Sequence, residues 1–413
     1  YARAEQGQCS REDEQYIDEA IKLAKERRPE LDQGLLDFLR SILLLKKKGE
    51  IESEFVMQFQ QFTGPAMAKG VEDTAFYNFN RLVSLNEVGG DPGRFGVTVE
   101  EFHGWCERIQ RDWPRTMLAT STHDTKRSED VRARIALLSS MPEMWEKTVR
   151  RWSARNEPLK TEGLPDRNTE YLLYQTLVGA WPISLERLQA YMLKAMREAK
   201  RQTSWTAPNM KFEKALETFV AAILHDDEFA AEARSFIEPL IAPARIISLA
   251  QLLLKLTAPG IPDIYQGTEI WDLSLVDPDN RRAVDYQVRR DMLRDIQGIN
   301  VEEVLRREDE GLPKLWVLTK ALSLRSRLGN YSPLPLTGSR KDEALAFSRG
   351  EVVTVVPRMV MGTSDWGDTA VEVPAGRNWQ NVLTGEDIGS GNIQLARLFQ
   401  RFPVALLAAE SPA

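Results

Sequence analysis

Three stretches of the chain place carboxylates, amides and bases at spacings that could do chemistry. The first is Ala119-Thr120-Ser121-Thr122-His123-Asp124-Thr125-Lys126-Arg127-Ser128-Glu129-Asp130, which continues a short apolar piece at 117–121 that begins just after Pro114. A buried strand there would present His123 and Asp124 at its C-terminal end, where (β/α) barrels carry their active sites. The same dipeptide also serves as a hydrogen-bonded loop pair or a helix N-cap. The second stretch, Gly64-Pro65-Ala66-Met67-Ala68-Lys69-Gly70-Val71-Glu72-Asp73-Thr74-Ala75-Phe76-Tyr77-Asn78, gathers one ammonium, two adjacent carboxylates and two aromatic rings. That mixture can grip a sugar, the charged groups taking hydroxyls and an aromatic face covering the apolar side of a pyranose. It reads equally as a capped helix start, with Glu72 and Asp73 at the positive end of the dipole. The third is Ala258-Pro259-Gly260-Ile261-Pro262-Asp263-Ile264-Tyr265-Gln266-Gly267-Thr268-Glu269, followed by Asp277-Pro278-Asp279-Asn280-Arg281-Arg282. Pro and Gly fix a tight path there and Arg forks can hold several hydroxyls, or the segment is a rigid turn with a surface ion-pair cluster.

The elements that must position these groups are legible as periodicities. Residues 11–48 show a helical stripe through Ile17, Ile21 and Ala24, a break at Pro29, and a second through Leu35, Leu39 and Ile42, predicting two packed helices. The Gly64-Pro65 pair predicts a turn that puts the Lys69–Asp73 segment on a loop. A long charged helix should follow the His-Asp segment. From about 142 to 256 nearly everything reads as helix, with stripes through Leu185, Leu188, Met192 and Ala195 and through Phe212, Leu216, Phe219 and Ile223. A second short strand is expected within 256–265. Beyond residue 330, short alternating runs at 345–347, 352–356, 370–373 and 404–407 separated by Gly-rich turns predict a small antiparallel sandwich. Trp366 and Trp379 there are expected to pack rather than bind.

Together the motifs resemble one family. The His-Asp strand end, followed after a gap by Gly-Ile-Pro-Asp-Ile-Tyr-Gln-Gly-Thr-Glu, looks like the seventh and eighth barrel strands of the α-amylase superfamily. The finer match is to maltooligosyltrehalose synthases. It is carried by Met67 to Tyr77, Ser121 to Arg132, Glu170-Tyr171-Leu172-Leu173-Tyr174-Gln175, Thr203-Ser204-Trp205, Asp277 to Arg282 and Phe402-Pro403-Val404-Ala405-Leu406-Leu407. The resemblance covers essentially the whole chain.

It implies an α+β multidomain fold: the C-terminal part of a (β/α)8 barrel, with a large mostly helical insertion and a C-terminal antiparallel β-sandwich. Four segments are expected: helices plus partial barrel strands and active-site loops at 1–140, a mostly helical subdomain at 141–245, the last strand with its loop and helices at 246–329, and the sandwich at 330–413. It implies a retaining rearrangement in which the reducing-end α-1,4 linkage of a maltooligosaccharide becomes an α,α-1,1 linkage. Asp124, with His123 on the same sugar, matches the carboxylate that binds ring hydroxyls. Lys69, Glu72, Asp73, Tyr77, Arg127, Glu129, Tyr265, Gln266, Glu269, Asp279, Asn280, Arg281 and Arg282 are the implied substrate grip. The family's nucleophile, on an Arg-x-Asp strand end, and its acid Glu both lie earlier in the chain than the His-Asp pair, and neither precedes Asp124 here. Glu213, in a run that echoes the acid's motif, falls in a helical stripe and reads as a solvated position. The expected partners are therefore an α-1,4-glucan and an N-terminal half bearing the first strands, and this chain alone is expected to be incomplete. No cofactor or metal is implied. A hydrolase with the same barrel end, or a glucan-binding scaffold without turnover, is the rival reading.

Composition bounds the rest. The chain has 413 residues, 42% of them hydrophobic, with a formal charge of −7 in no long single-sign block, so no basic face for nucleic acid stands out. Cys9 and Cys106 fall in no ligand spacing, which suits a reducing, cytoplasmic setting. No apolar run is expected to approach the ~20 residues that span a bilayer. The start, Tyr1-Ala2-Arg3-Ala4-Glu5, lacks a signal-peptide pattern and reads as a chain begun mid-protein.

Overall fold

The computed structural model describes residues 9–362 and 365–409, so the first five residues lie outside it. The chain divides into two compact units, Tyr1–Ala75 and Phe76–Ala413. That boundary falls inside the first of the four expected segments.

In the first unit, α1 (Arg11–Arg27), α2 (Gln33–Leu43) and α3 (Glu50–Met67) follow one another. Ser10 and Asp13 cap α1 reciprocally: the Asp13 amide donates to Ser10 Oγ at 3.0 Å and the Ser10 amide to Asp13 Oδ2 at 2.9 Å. Asp32 caps α2. Arg40 ties α2 to Glu14 and Asp18 of α1, and Ile42, Leu45 and Val56 form a small core. The expected turn at Gly64-Pro65 does not form. Helix α3 runs through both residues and continues as a π-turn, Ala68–Glu72. A proline clashes with the Cβ of the residue before it when that residue is helical, and Gly64 has no Cβ to clash.

The second unit opens with α4 (Val99–Asp112), the two-residue strand β1 (Met117–Leu118) and α5 (Glu129–Ala136). Helix α5 is charged as expected but, at 8 residues, not long, and its charges are turned inward: Glu129, Asp130, Val131, Ala133, Arg134 and Ile135 are all buried. The helical region comprises α6 (Pro142–Asn156), α7 (Arg167–Ala180), α8 (Leu185–Ala199), α9 (Met210–His225) and α10 (Asp227–Thr257). Gly179 lets α7 lie against α5, since a Cβ there would come within 2.8 Å of Val131 Cγ1 and 2.7 Å of Ile135 Cδ1. An aromatic cluster fills this core, with the Trp152 ring edge-on to Trp145, Phe229 and Phe236 at 5.4–5.9 Å. Helix α10 is long and apolar enough, by length and composition, to cross a membrane, which the sequence reading did not anticipate. In this fold it is a spine shared by two cores: Phe229, Ile237 and Leu240 face the helical core, while Leu249, Leu253 and Leu256 enter the next.

Strand β2 (Ile261–Pro262) pairs parallel with β1, Met117 opposite Ile261 and Leu118 opposite Pro262. Both strands are shorter than expected, because Leu256 and Thr257 still belong to α10 and residues 119–121 turn away to meet buried side chains. Gly260 sets the approach of the two strands. It has φ +130°, and a Cβ there would lie 2.8 Å from Leu118 Cγ and 2.9 Å from the Thr116 carbonyl oxygen. Gly260→Ala is therefore expected to cost roughly 1–3 kcal/mol, read as a lower urea midpoint at unchanged slope. An unmoved midpoint would show that the strand pair relaxes freely.

After α11 (Tyr286–Asp295), α12 (Val301–Arg306) and α13 (Leu312–Ser323) comes the antiparallel tail, as the alternating runs predict. It contains β3 (Leu328–Pro333), β4 (Leu336–Thr337), β5 (Ala344–Gly350), β6 (Val352–Pro357), β7 (Ala370–Val373), β8 (Trp379–Asn381), β9 (Glu386–Asp387), β10 (Gly391–Gln394), α14 (Leu395–Leu398) and β11 (Ala405–Ala409). One sheet has the order β3-β5-β6-β11-β8-β9 and the other β10-β7-β4. Alternation divides the larger sheet's two faces: Ala344, Ala346, Val353 and Val355 share a core with Val371 and Ile393 of the smaller sheet, while Leu345, Phe347, Val352 and Val356 pack with α10 and α13 residues. Trp379 is buried between the sheets and Trp366 packs on Phe399, so both pack as expected.

Candidate active site

Because β1 and β2 run parallel, the segments that follow them leave the sheet on the same side. After β1 the chain makes a tight turn in which the Thr122 amide donates to Thr125 Oγ1 at 3.2 Å, and Thr125 Oγ1 donates to the Thr122 carbonyl at 3.0 Å. His123 and Asp124 stand exposed at its tip, and the Asp124 side chain is 55% accessible. Lys126 Nζ, from a side chain that is itself buried, lies 3.8 Å from Asp124 Oδ1. The turn is held from the other side of the crevice: Asn280 Nδ2 donates to the carbonyls of Thr122 (3.2 Å) and His123 (3.0 Å).

Beneath the turn is a buried charge cluster. Glu129 Oε1 lies 2.8 Å from Lys314 Nζ of α13, and its Oε2 lies 3.5 Å from Lys255 Nζ of α10. The same Oε2 accepts the hydroxyls of Thr120 and Ser121, and Lys255 Nζ donates to Thr120 Oγ1 at 2.6 Å. Asp130 Oδ2 takes Lys314 Nζ at 2.9 Å and the Asp272 amide at 2.7 Å. Burial alone would raise the Glu129 carboxyl, but the two ammonium groups, Lys314 foremost, bring it down to about 2. Burial likewise acts to lower Lys314, and the facing carboxylates outweigh it and hold this ammonium above its ordinary value. Lys255 goes the other way, lowered by burial that Glu129 only partly offsets. Burial also raises Asp272, with Asp130 nearby adding to the effect. The strand end is thus fixed by charge-assisted bonds to α5 and α10, and Lys314 of α13 holds Glu129 in turn.

The structure does not assemble all the expected grip residues. Arg127 is buried and donates to Tyr191 Oη at 2.7 Å and the Val83 carbonyl at 3.3 Å, facing the helical core rather than the turn. Glu129 is buried in the cluster above, and Tyr77 is part of the helical core. The sequence neighbours of Arg127 and Glu129 are buried too: the chain turns inward after the exposed His123 and Asp124, and every residue from Thr125 to Val131 is buried. Lys69, Glu72 and Asp73 lie in the first unit, on the π-turn, with Lys69 paired to Asp73. Tyr265 is half-buried and donates to the Asn280 carbonyl at 3.0 Å, and Gln266 is exposed. Glu269 is engaged with Arg289 at 2.8 Å. Asp279 is gripped by both Arg187 donors at 2.8 Å, and the Arg187 guanidinium holds its carboxyl below the ordinary range despite burial. Arg281 pairs with Asp277 at 3.0 Å and Arg282 with Asp279 at 3.1 Å, both half-exposed. Glu213 is not solvated: it is buried, with Arg197 at 2.7 Å and Thr203 Oγ1 at 2.5 Å. Arg197 lowers its pKa, the opposite of what a general acid needs, so its rejection as the acid holds for a different reason.

Lys255, Lys314, Glu87 and Arg187 were not anticipated. Lys255 sits alone among leucines (Leu252-Leu253-Leu254-Lys255-Leu256) and Lys314 alone in a mixed apolar run (Leu312-Pro313-Lys314-Leu315-Trp316-Val317-Leu318), a pattern that marks a buried, paired ammonium. Glu87 accepts the amides of Lys126 (2.8 Å) and Arg127 (3.2 Å) and pairs with Arg132 at 2.9 Å, across a separation no local pattern reveals. Among the described residues no group of three or more His, Cys, Asp or Glu is arranged to hold a metal ion.

No protein-family model matches the chain. A curated Mycobacterium tuberculosis protein provisionally named maltooligosyl trehalose synthase is 41% identical over 374 residues, which cover 87% of this chain and 46% of that protein. The structure of maltooligosyltrehalose synthase from Arthrobacter ramosus matches 96% of this chain with a TM-score of 0.86 at 38% identity. The chain is homologous to a portion of the maltooligosyltrehalose synthases. It spans about half the length of these relatives, 51% in the Arthrobacter case. A hypothetical maltooligosyl trehalose synthase of Sulfolobus tokodaii matches 90% of the chain, and is itself half covered, at a TM-score of 0.71 and 29% identity. Synthases of known structure therefore share this order of elements from the helices into the antiparallel tail.

Proposed function

We propose that this chain is the C-terminal portion of a maltooligosyltrehalose synthase, with β1 and β2 as the last two strands of a (β/α)8 barrel whose remaining strands lie outside it. The parallel pairing supports this, as does the exposure of Met117 and Ile261, apolar residues on a two-stranded sheet that offers unpaired edges for further strands. In this reading the tail is the C-terminal sandwich and the region 141–245 an insertion between the two strands.

The observation that carries the functional reading is the exposed His123–Asp124 turn at the C-terminal end of β1. Asp124 accepts hydrogen bonds from hydroxyls of the distorted glucose next to the reducing-end one, and these strengthen as positive charge builds at that penultimate sugar's anomeric carbon. A carboxylate from the partner half attacks that carbon as a second carboxyl gives its proton to the departing glucose oxygen. The anomeric hydroxyl of the retained glucose then attacks the glycosyl-enzyme, returning a proton to the second carboxyl and forming the α,α-1,1 bond. No cofactor enters. Retention of the glucose decides between transfer and hydrolysis, and Tyr265, Gln266, Arg281 and Arg282 are the groups assigned to that grip. The enzyme works on a neutral glucan in the cytoplasm, without nucleic acid or membrane.

Incubating the chain with maltopentaose, alone and with a separately expressed N-terminal half of a relative, tests this. Non-reducing, trehalose-ended product only in the mixture is the expected result. Turnover by the chain alone would overturn the split of the carboxylates. Binding without turnover in both cases would favour a glucan-binding scaffold.

A further inference from the structure

The His123–Asp124 turn has no regular secondary structure to fix it, yet its shape is tied to a distant loop. Asn280 is buried, with 9% of its surface exposed, and its Nδ2 spans the Thr122 and His123 carbonyls at 3.2 and 3.0 Å. Both partners are acceptors, which settles which end of the amide faces the turn. Asn280 is itself held on both flanks: its carbonyl accepts Tyr265 Oη at 3.0 Å, and the neighbouring Asp279 is clamped by Arg187 of α8. Rigid helix α8, the 3₁₀ turn Asp279–Arg281 and the His-Asp turn therefore form one mechanical chain. Opposite, Oδ1 of Asn280 is buried without a hydrogen-bond partner among the described residues. A buried amide that leaves one end unsatisfied while its other end makes two bonds is placed by the demands of those two bonds.

We propose that Asn280 is a positioning residue: its amide clasps the carbonyls of Thr122 and His123 and holds Asp124 in reactive register without itself contacting the sugar. This rests on the reading of Asp124 above only for its catalytic consequence. The clasp is a property of the chain.

The experiment has two arms. In the first, hydrogen exchange of the chain by itself is compared for the wild type and Asn280→Ala, with exchange expected at least about tenfold faster at 121–126 and unchanged in α7, α8 and α9. In the second, the same proteins are mixed with the complementing half. The variant is expected to lose about 10- to 100-fold in kcat with KM nearly unchanged, since a misplacement of about 1 Å costs on that order. Asn280→Asp keeps the size but turns a carboxylate toward two carbonyls. Its kcat is expected to climb as pH falls, when the protonated acid regains one donor, a rise the wild type lacks. Unchanged exchange at 121–126 in both variants overturns the proposal, and so does a rise in KM alone, which would make Asn280 a substrate contact. If wild-type mixtures give no trehalose-ended product while the exchange difference appears, the functional reading fails and the clasp stands.

Discussion

Replacing Lys314 with Met is expected to lower the unfolding free energy by about 3–5 kcal/mol, the usual consequence of removing one partner from a buried charge group. Lys314 is fully buried and is the shared counter-ion of Glu129 and Asp130 at 2.8 and 2.9 Å. Met preserves the stem and its packing, so the loss isolates the ammonium. Glu129 would then keep Lys255, and Asp130 would keep the buried Arg134 guanidinium as a nearby positive charge. Adding Glu129→Gln and Asp130→Asn to Lys314→Met should recover much of the loss, because a neutral buried group is far less costly than an unpaired ion. The same cluster sets an acid limb. Glu129 is held at about 2 in the folded chain against an ordinary 4.5. A depressed carboxylate contributes stability that is complete above its unfolded pKa and is lost as pH falls toward its folded one, so the loss should develop between about 4.5 and 2. Urea unfolding across that range should show a shallower acid limb in Glu129→Gln than in the wild type. Identical limbs, or a Lys314→Met loss below about 1 kcal/mol, would mean that water relaxes the cluster.

The cluster also shows why the sequence carries part of the site and hides the rest. His123 and Asp124 are legible because a short apolar piece and a polar run meet there, and strand ends are where a (β/α) fold puts polar groups. The tail's strands β5, β6, β7 and β11 are legible because short apolar runs stand between turns, although β5 and β6 are buried on both faces and do not alternate as read, and β8 gave no such signal. What the local pattern cannot carry is direction. Arg127 and Glu129 sit close to Asp124 in sequence and are buried, because the chain dives into the protein after the exposed pair and stays buried from Thr125 to Val131, polar residues included. Nor can it carry partners at long range: Glu87 to Lys126, Asn280 to His123 and Lys314 to Asp130 are joined across 39, 157 and 184 residues. Gly64-Pro65 misleads for a local reason, since a proline predicts a break but the glycine before it removes the clash that would cause one. Glu213 misleads through its helix stripe, where a single buried ion pair with Arg197 overrides the solvated pattern.

Asp124→Asn should have the largest effect on activity. In the mixture with the complementing half, kcat is expected to fall by about 10²–10³-fold, the range seen when one preorganised electrostatic contact to a transition state is removed. The substitution is nearly isosteric and Asp124 is half exposed, with Lys126 Nζ 3.8 Å away. The fold should therefore be indifferent to it, with no measurable shift in the urea midpoint. Binding of the ground-state glucan should also change little, because an amide oxygen still accepts one hydroxyl. What is lost is a negative charge facing an anomeric carbon that becomes positive only as the bond breaks, so the deficit belongs in kcat rather than KM. His123→Ala, which removes a contact beside the same sugar, should cost less, about tenfold. If Asp124→Asn retains near-wild-type turnover while Lys314→Met and Asn280→Ala lose theirs, the turn positions some other group and Asp124 is not the third carboxylate. If all three fall together with Asp124 the most severe, the buried cluster, the amide clasp and the exposed carboxylate act as one device, in which distant helices aim a single charge.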